Sequence, residues 1–125
     1  MYQELFRDSL KDYLNESYEF IDPEFREVLQ SKALENGPTV FLNDMLCCDK
    51  FDIIDRVHDI KLPTLALCGS EDIMTPPKYT KYLADKIGGA REVIIDGGTH
   101  MVFAEKPREV NQAIDNFLSS LWGMI

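Results

Sequence analysis

Asp72 and His100 are the two side chains of this sequence whose types and spacing could do acid–base chemistry together. A histidine that accepts a proton needs a carboxylate to hold its ring in one tautomer and to stabilise the imidazolium that forms. Gly69 precedes the acid and Gly97-Gly98 precedes the histidine, so the backbone can turn sharply at both places. The sequence therefore predicts an acid–histidine pair held in two loops.

Two short apolar runs predict the strands that carry these loops. Residues 64–68 form a continuous apolar run between a proline and a glycine, which is typical of a strand buried on both faces of a parallel sheet. Residues 92–95 are predicted to form the second strand. Active sites of open α/β sheets lie beyond the carboxyl ends of the strands, where Asp72 and His100 both fall. We expect the two side chains to meet at one rim of the sheet.

Helical periodicity predicts the elements that cover these strands. One helix is predicted from residue 75 to residue 87, and Pro107 opens a final helix. Their inward faces are predicted to carry Tyr79, Tyr82, Leu83 and Ile87 in the first, and Val110, Ile114, Phe117, Leu118 and Leu121 in the second. Strand, helix, strand and helix in this order predict a parallel β-α-β-α unit, and so an α/β fold class.

Residues 1–60 differ from the rest because they combine helical periodicity with scattered acidic residues. A first helix is predicted on an apolar stripe between residues 2 and 14. Asp22-Pro23 then predicts the start of a second helix that ends at Gly37, and residues 38–48 predict a third. Residues 49–60 form a connector with one helical turn. We therefore divide the chain into a helical segment, residues 1–60, and an α/β segment, residues 61–125.

Charge and hydropathy exclude several classes of partner. The chain has 22 acidic and 13 basic side chains, a formal net charge of -9, and no basic stripe for nucleic acid or an anionic membrane. Its first eight residues lack the basic start and apolar run of a secretory signal, and no apolar stretch approaches the roughly 20 residues of a membrane span. We expect a soluble, cytoplasmic protein.

The other side chains that could take part in chemistry predict no second site. Cys47, Cys48 and Cys68 lack paired C-x-x-C spacing, which indicates neither a disulfide framework nor a zinc site, and His58 lies in a charged connector without a ligand set. Neither a metal nor a cofactor is expected. Glu71 is the alternative to the neighbouring acid and is expected to face solvent. Taken alone, the predicted acid could equally cap a turn.

Two segments of the sequence resemble a known family. Residues 65–76, Leu-Ala-Leu-Cys-Gly-Ser-Glu-Asp-Ile-Met-Thr-Pro, are similar to the penultimate core strand and acid loop of α/β-hydrolases, and residues 98–107, Gly-Thr-His-Met-Val-Phe-Ala-Glu-Lys-Pro, are similar to the histidine loop. The resemblance assigns the catalytic acid to Asp72 and the catalytic histidine to His100. It implies a partial α/β-hydrolase fold, with residues 1–60 as the end of a cap, and a small-molecule substrate with an ester or related bond.

The nucleophile of that family has no counterpart in the sequence. Family members carry it on a G-x-S-x-G turn, where the backbone also forms part of the oxyanion hole, and no such turn occurs among these 125 residues. Loss of the nucleophile of a serine triad costs on the order of 10⁶ in turnover. We therefore expect a C-terminal fragment of a hydrolase that is inactive by itself.

Two alternatives remain open. The chain could be a non-catalytic interaction module on a hydrolase-derived scaffold, or a small α/β domain in which the acid and the histidine are coincidental. In either case a sheet of two parallel strands leaves open edges. We therefore expect a homo-oligomer that associates through those edges or through the apolar helices of residues 1–48.

Overall fold

The structure, a computed structural model, describes residues 21–122. Contacts divide the chain into two compact units, residues 1–52 and residues 53–125, and each is described by itself. The first predicted helix, between residues 2 and 14, lies outside the described residues. That residues 1–60 form a cap segment stays a prediction.

In the described part of the first unit, residues 21–52, the chain forms one long helical element, α1 (Pro23–Lys50). The carboxylate of Asp22 caps its start, since Oδ1 accepts hydrogen bonds from the backbone N–H groups of Glu24, at 3.0 Å, and Phe25, at 3.4 Å. Gly37 has φ 75° and ψ 175°, so the helical path is interrupted there and resumes at Pro38. The backbone thus shows the two consecutive helices that the sequence predicts. No residue of α1 is buried.

The second unit alternates helices and strands. A 3₁₀ helix (Ile54–Asp59) precedes β1 (Leu65–Gly69), α2 (Pro77–Lys86), β2 (Arg91–Ile95), α3 (Val102–Glu105) and α4 (Pro107–Trp122). β1 and β2 pair in parallel, with Leu65 opposite Arg91 at one end and Gly69 opposite Ile95 at the other. Both strands therefore end at the same level, and the loops that follow them leave from one rim. This architecture confirms the predicted α/β class and the partial α/β-hydrolase fold.

The core of this unit lies between β2 and the two C-terminal helices. Ile95, Val102 and Val110 are buried together, and Leu67 and Val93 pack against them. Ile87, at the end of α2, is also buried, as predicted. The core therefore ties the end of β2 to α3 and α4, which frame the histidine loop.

The helices bury less of their apolar faces than the sequence predicts. Tyr79, Ile114 and Leu118, expected to face inward, are exposed. Paired strands lie only about 5 Å apart, whereas a helix with its side chains is about 10 Å across, so two strands are narrower than the helices that pack on them. The helix flanks therefore extend past the sheet. The short α3 was not predicted either, because a single turn is too short to show periodicity.

Candidate active site

The acid loop and the histidine loop are joined to each other by their backbones. The N–H of Ser70 donates to the carbonyl oxygen of Ile95 at 2.9 Å, and the N–H of Glu71 donates to that of Gly98 at 2.9 Å. The N–H of Gly97 donates to the hydroxyl oxygen of Ser70 at 2.8 Å. These bonds continue the pairing of β1 and β2 beyond the strands and fix the two loops side by side.

The close approach of the loops requires glycine at residue 69. A Cβ atom there would overlap the carbonyl group of Gly98 and come within 2.7 Å of the carbonyl oxygen of Thr99. Gly98 is restricted in the same way, since its Cβ would lie 2.5 Å from a methyl group of Val102. Backbone packs directly on backbone at the base of the site.

The carboxylate of Asp72 is buried and fully hydrogen-bonded. Its Oδ1 accepts from the backbone N–H groups of Met74, at 2.9 Å, and Thr75, at 2.8 Å. Its Oδ2 accepts from the Thr75 hydroxyl at 2.9 Å and lies 3.0 Å from Nδ1 of His100. An ionised carboxylate has about four acceptor positions, and all four are used here. Asp72 can therefore orient and stabilise its partners but has no free position for a substrate.

These contacts keep Asp72 ionised. Burial by itself raises the pKa of the carboxyl group. Hydrogen bonds from the Thr75 backbone, the His100 ring and the Thr75 hydroxyl, together with the charge of His100, outweigh that effect, so the pKa lies below its ordinary value. The carboxylate form that orients a histidine is thus the form that the folded chain favours.

His100 contacts the acid through one ring nitrogen. Because an ionised carboxylate can only accept hydrogen bonds, Nδ1 carries a proton and donates a hydrogen bond to Oδ2 of Asp72. The Thr75 hydroxyl oxygen, 3.3 Å from Nδ1, is a second acceptor for the same proton. The His100 side chain is 40% exposed against 4% for Asp72. The ring of His100, with Nε2 on the side away from this contact, therefore remains partly accessible from solvent.

The remaining acidic, histidine and cysteine candidates lie outside this pair. Glu71 is exposed, as expected. His58 is exposed in the 3₁₀ helix, with Nε2 3.3 Å from a carboxylate oxygen of Asp59. Cys47 and Cys48 are exposed and Cys68 is buried, all three as free thiols. Among residues 21–122, no three His, Cys, Asp or Glu side chains are arranged to hold a metal ion. No helix in this range is long and apolar enough to cross a membrane.

Thr75 is a member of the site that the sequence patterns did not predict. It was assigned to the start of a helix, whereas α2 begins at Pro77 and Thr75 instead closes the acid loop around Asp72. A signal for this exists in the sequence, since an Asp followed three residues later by Thr is the spacing at which an Asp side chain bonds backbone N–H groups ahead of it.

One groove lies apart from the acid–histidine pair. It has a volume of about 590 Å³ between the sheet and α4, and neither Asp72 nor His100 lines it. Its walls are Leu65, Arg91, Val93, Ile95, Arg108, Glu109, Gln112, Ala113, Asn116 and Phe117. This lining contains no histidine, cysteine or serine.

Comparison with known proteins identifies the family. The TAP-like protein family matches residues 40–121, about two thirds of the chain. A proline iminopeptidase of Lacticaseibacillus rhamnosus is 26% identical over 91 residues, which cover 73% of this chain and 31% of that protein. The structure of a thermophilic esterase is 28% identical, with a TM-score of 0.73 over 94% of this chain and 49% of the esterase chain.

A bromoperoxidase of Bacillus anthracis shares the fold, with a TM-score of 0.76 at 21% identity over 90% of this chain and 44% of that chain. The chain spans about a third of the length of the curated relative and about half the length of these solved structures. The family match, residues 40–121, includes both strands, the acid loop and the histidine loop. From this match and the fold, the chain belongs to the TAP-like family of α/β-hydrolases.

Proposed function

We propose that Asp72 and His100 are the acid and the general base of a hydrolase that cleaves an ester or a related bond. The observation that carries this proposal is the 3.0 Å contact between a buried, ionised carboxylate and Nδ1 of a solvent-accessible imidazole, beyond the carboxyl ends of two parallel strands. We further propose that the nucleophile and the oxyanion hole come from polypeptide outside these 125 residues, because the sequence has no G-x-S-x-G turn.

Each side chain has one part in the proposed reaction. Nε2 of His100 takes the proton of the nucleophile as the nucleophile attacks the carbonyl carbon, and then gives that proton to the leaving group. Asp72 stays ionised, holds Nδ1 and stabilises the imidazolium between these two transfers. A water molecule then attacks the acyl group left on the nucleophile, with the same two proton transfers through His100, and releases the acid product. No cofactor is needed for these steps.

The relatives support ester hydrolysis and an incomplete site. The thermophilic esterase is 28% identical and aligns with almost the whole chain, while this chain covers only 49% of it. This chain contributes Asp72 and His100 and has no G-x-S-x-G turn. We therefore propose that the 125 residues alone do not turn over an ester efficiently.

Hydrolysis of a short-chain p-nitrophenyl ester tests the proposal. The 125-residue chain should show no turnover above background. The product of the reading frame extended upstream should carry an elbow turn and show turnover, which His100→Ala should lower by on the order of 10⁶. His58→Ala, which changes the other, exposed histidine, is the matched control and should leave the rate unchanged.

Two results would contradict the proposal. Turnover by the 125-residue chain that disappears in His100→Ala would show that the site is complete without further polypeptide. An extended product with no elbow and no turnover would instead favour a non-catalytic interaction module on the same scaffold.

We also propose that the chain associates with copies of itself. Within the part of the chain that the structure describes, the sheet has two strands, and Ile94, Ile114 and Leu118 are exposed. Burying such apolar surface favours association. Sedimentation showing a folded monomer at micromolar concentration would count against this.

A further inference from the structure

A second carboxylate binds the residue directly before His100. The backbone N–H of Thr99 donates to Oε2 of Glu105 at 2.7 Å, and the hydroxyl of Thr99 donates to Oε1 of the same side chain. Both oxygens of Glu105 are thus directed at one residue of the histidine loop. Hydrogen bonds with a charged acceptor are about twice as strong as bonds between neutral groups.

Glu105 lies on a helix that is anchored in the core of this unit. It is the last residue of α3, whose first residue, Val102, is buried in the core with Ile95 and Val110. Glu105 itself is half-buried. The carboxylate is therefore a fixed point that the core supplies to the histidine loop.

The histidine loop needs such a fixed point. Two consecutive glycines, Gly97 with φ 63° and Gly98, make the backbone of the loop easy to move. The ring of His100 is 40% exposed, so burial does little to hold it. On the other side, the loop is bound through Ser70 and Glu71, which hold Gly97 and Gly98 but not the residues nearer the histidine. Glu105 binds at Thr99, between those anchors and the ring.

We propose that Glu105 is a positioning residue that holds the ring of His100 against Asp72 by binding Thr99. Its importance for catalysis rests on the function proposed above, whereas its effect on the ring does not. The carboxylate keeps the backbone of Thr99 in the one orientation from which the next side chain reaches the acid. Removal of Glu105 frees that backbone and lengthens or breaks the bond between Nδ1 and Oδ2.

The Nδ1 proton of His100 reports this bond directly in a nuclear magnetic resonance experiment. A proton shared with a buried carboxylate gives a downfield signal and exchanges slowly with water, and the 125-residue chain with ¹⁵N labelling suffices. The signal is assigned by its loss in His100→Gln and its persistence in His58→Gln. Wild type should show it.

Three variants test the role of the carboxylate. Glu105→Ala should lose the signal or exchange the proton at least about tenfold faster, while the backbone amide signals of β1 and α2 stay in place. Glu105→Gln should keep it, because the side-chain carbonyl still accepts from the Thr99 N–H and the amide group can donate to the hydroxyl. Glu109→Ala, an exposed carboxylate on the next helix, is the matched control and should match wild type.

The proposal is overturned if Glu105→Ala keeps the signal with an unchanged exchange rate, or if wild type shows no such proton. Should Glu105→Ala unfold, Thr99→Val decides, since it removes the hydroxyl bond alone: faster exchange supports the role and an unchanged rate refutes it. None of these measurements needs a nucleophile or a substrate. An inactive extended enzyme would therefore defeat the proposed function and leave this result standing.

Discussion

The acid loop and the histidine loop hold their functional side chains in different ways. Three of the four hydrogen bonds to Asp72 come from residues two and three positions later in the chain, Met74 and Thr75. The direct contacts of the His100 ring are instead with groups far away in sequence, Asp72, 28 residues earlier, and Thr75, 25 residues earlier. The acid is thus organised by its own loop, whereas the histidine depends on the contact between two loops.

This difference determines what a mutation can do at each place. Changes inside the acid loop should alter the carboxylate and leave the sheet intact. Changes where the loops meet should separate the histidine from the acid and weaken the whole second unit, because the same contacts continue the pairing of β1 and β2.

The largest effect is expected where the two loops touch. Gly69→Ala places a Cβ on the carbonyl group of Gly98, which is backbone and cannot rotate away. We expect a loss of about 3 kcal/mol or more in the free energy of unfolding, and a fall in Tm of more than about 10 °C. Thermal unfolding followed by circular dichroism measures both.

Gly88→Ala is the control for that prediction. Nothing lies within 4 Å of a Cβ at Gly88, and its φ is not in the left-handed region. Its stability should stay within about 0.5 kcal/mol of wild type. An equal loss in both variants would show that close loop packing is not what makes glycine necessary at residue 69.

A smaller and pH-dependent effect is expected at the acid itself. Asp72→Asn replaces an acceptor facing Nδ1 and the Thr75 hydroxyl by an amide, and should cost about 1–3 kcal/mol at pH 7. Because the pKa of Asp72 is lowered in the folded chain, its stabilising contribution is complete above the ordinary pKa of 3.8 and is lost as pH falls through the lower folded value.

The difference between wild type and Asp72→Asn should therefore shrink as pH falls below about 3.8. Urea unfolding at pH 7 and at pH 3 measures it. Asp96→Asn, an exposed acid at the start of the histidine loop, should show little difference at either pH. A gap between wild type and Asp72→Asn that widens toward acid would contradict the assigned direction of the shift.

The smallest effect is expected at Thr75. Thr75→Val keeps the shape and the backbone N–H but removes one hydrogen bond to Oδ2, which should cost about 1 kcal/mol. Thr75→Ser keeps the hydroxyl and should stay closer to wild type. Equal stability of both variants in urea would show that the hydroxyl does not contribute to holding the acid.

Much of the fold followed from local patterns. The apolar runs placed both strands to within one residue, and the proline and glycine signals placed the break in α1 and the start of α4. Thr75 and α3 were missed, because a side chain that bonds its own loop and a helix of one turn leave no periodic signal. Tyr79 was assigned inward because a helical stripe shows which residues share a face but not how far the facing sheet extends.

The sequence alone predicted an acid–histidine pair, Asp72 and His100 in that order, and it contains no G-x-S-x-G turn within these 125 residues. Only the tertiary structure decided that the two side chains meet at 3.0 Å, that Thr75 closes the acid loop and that Glu105 binds beside the histidine. The reason is physical: strand propensity and turn signals act over a few neighbouring residues, whereas a 3 Å contact between loops depends on strand register and backbone packing.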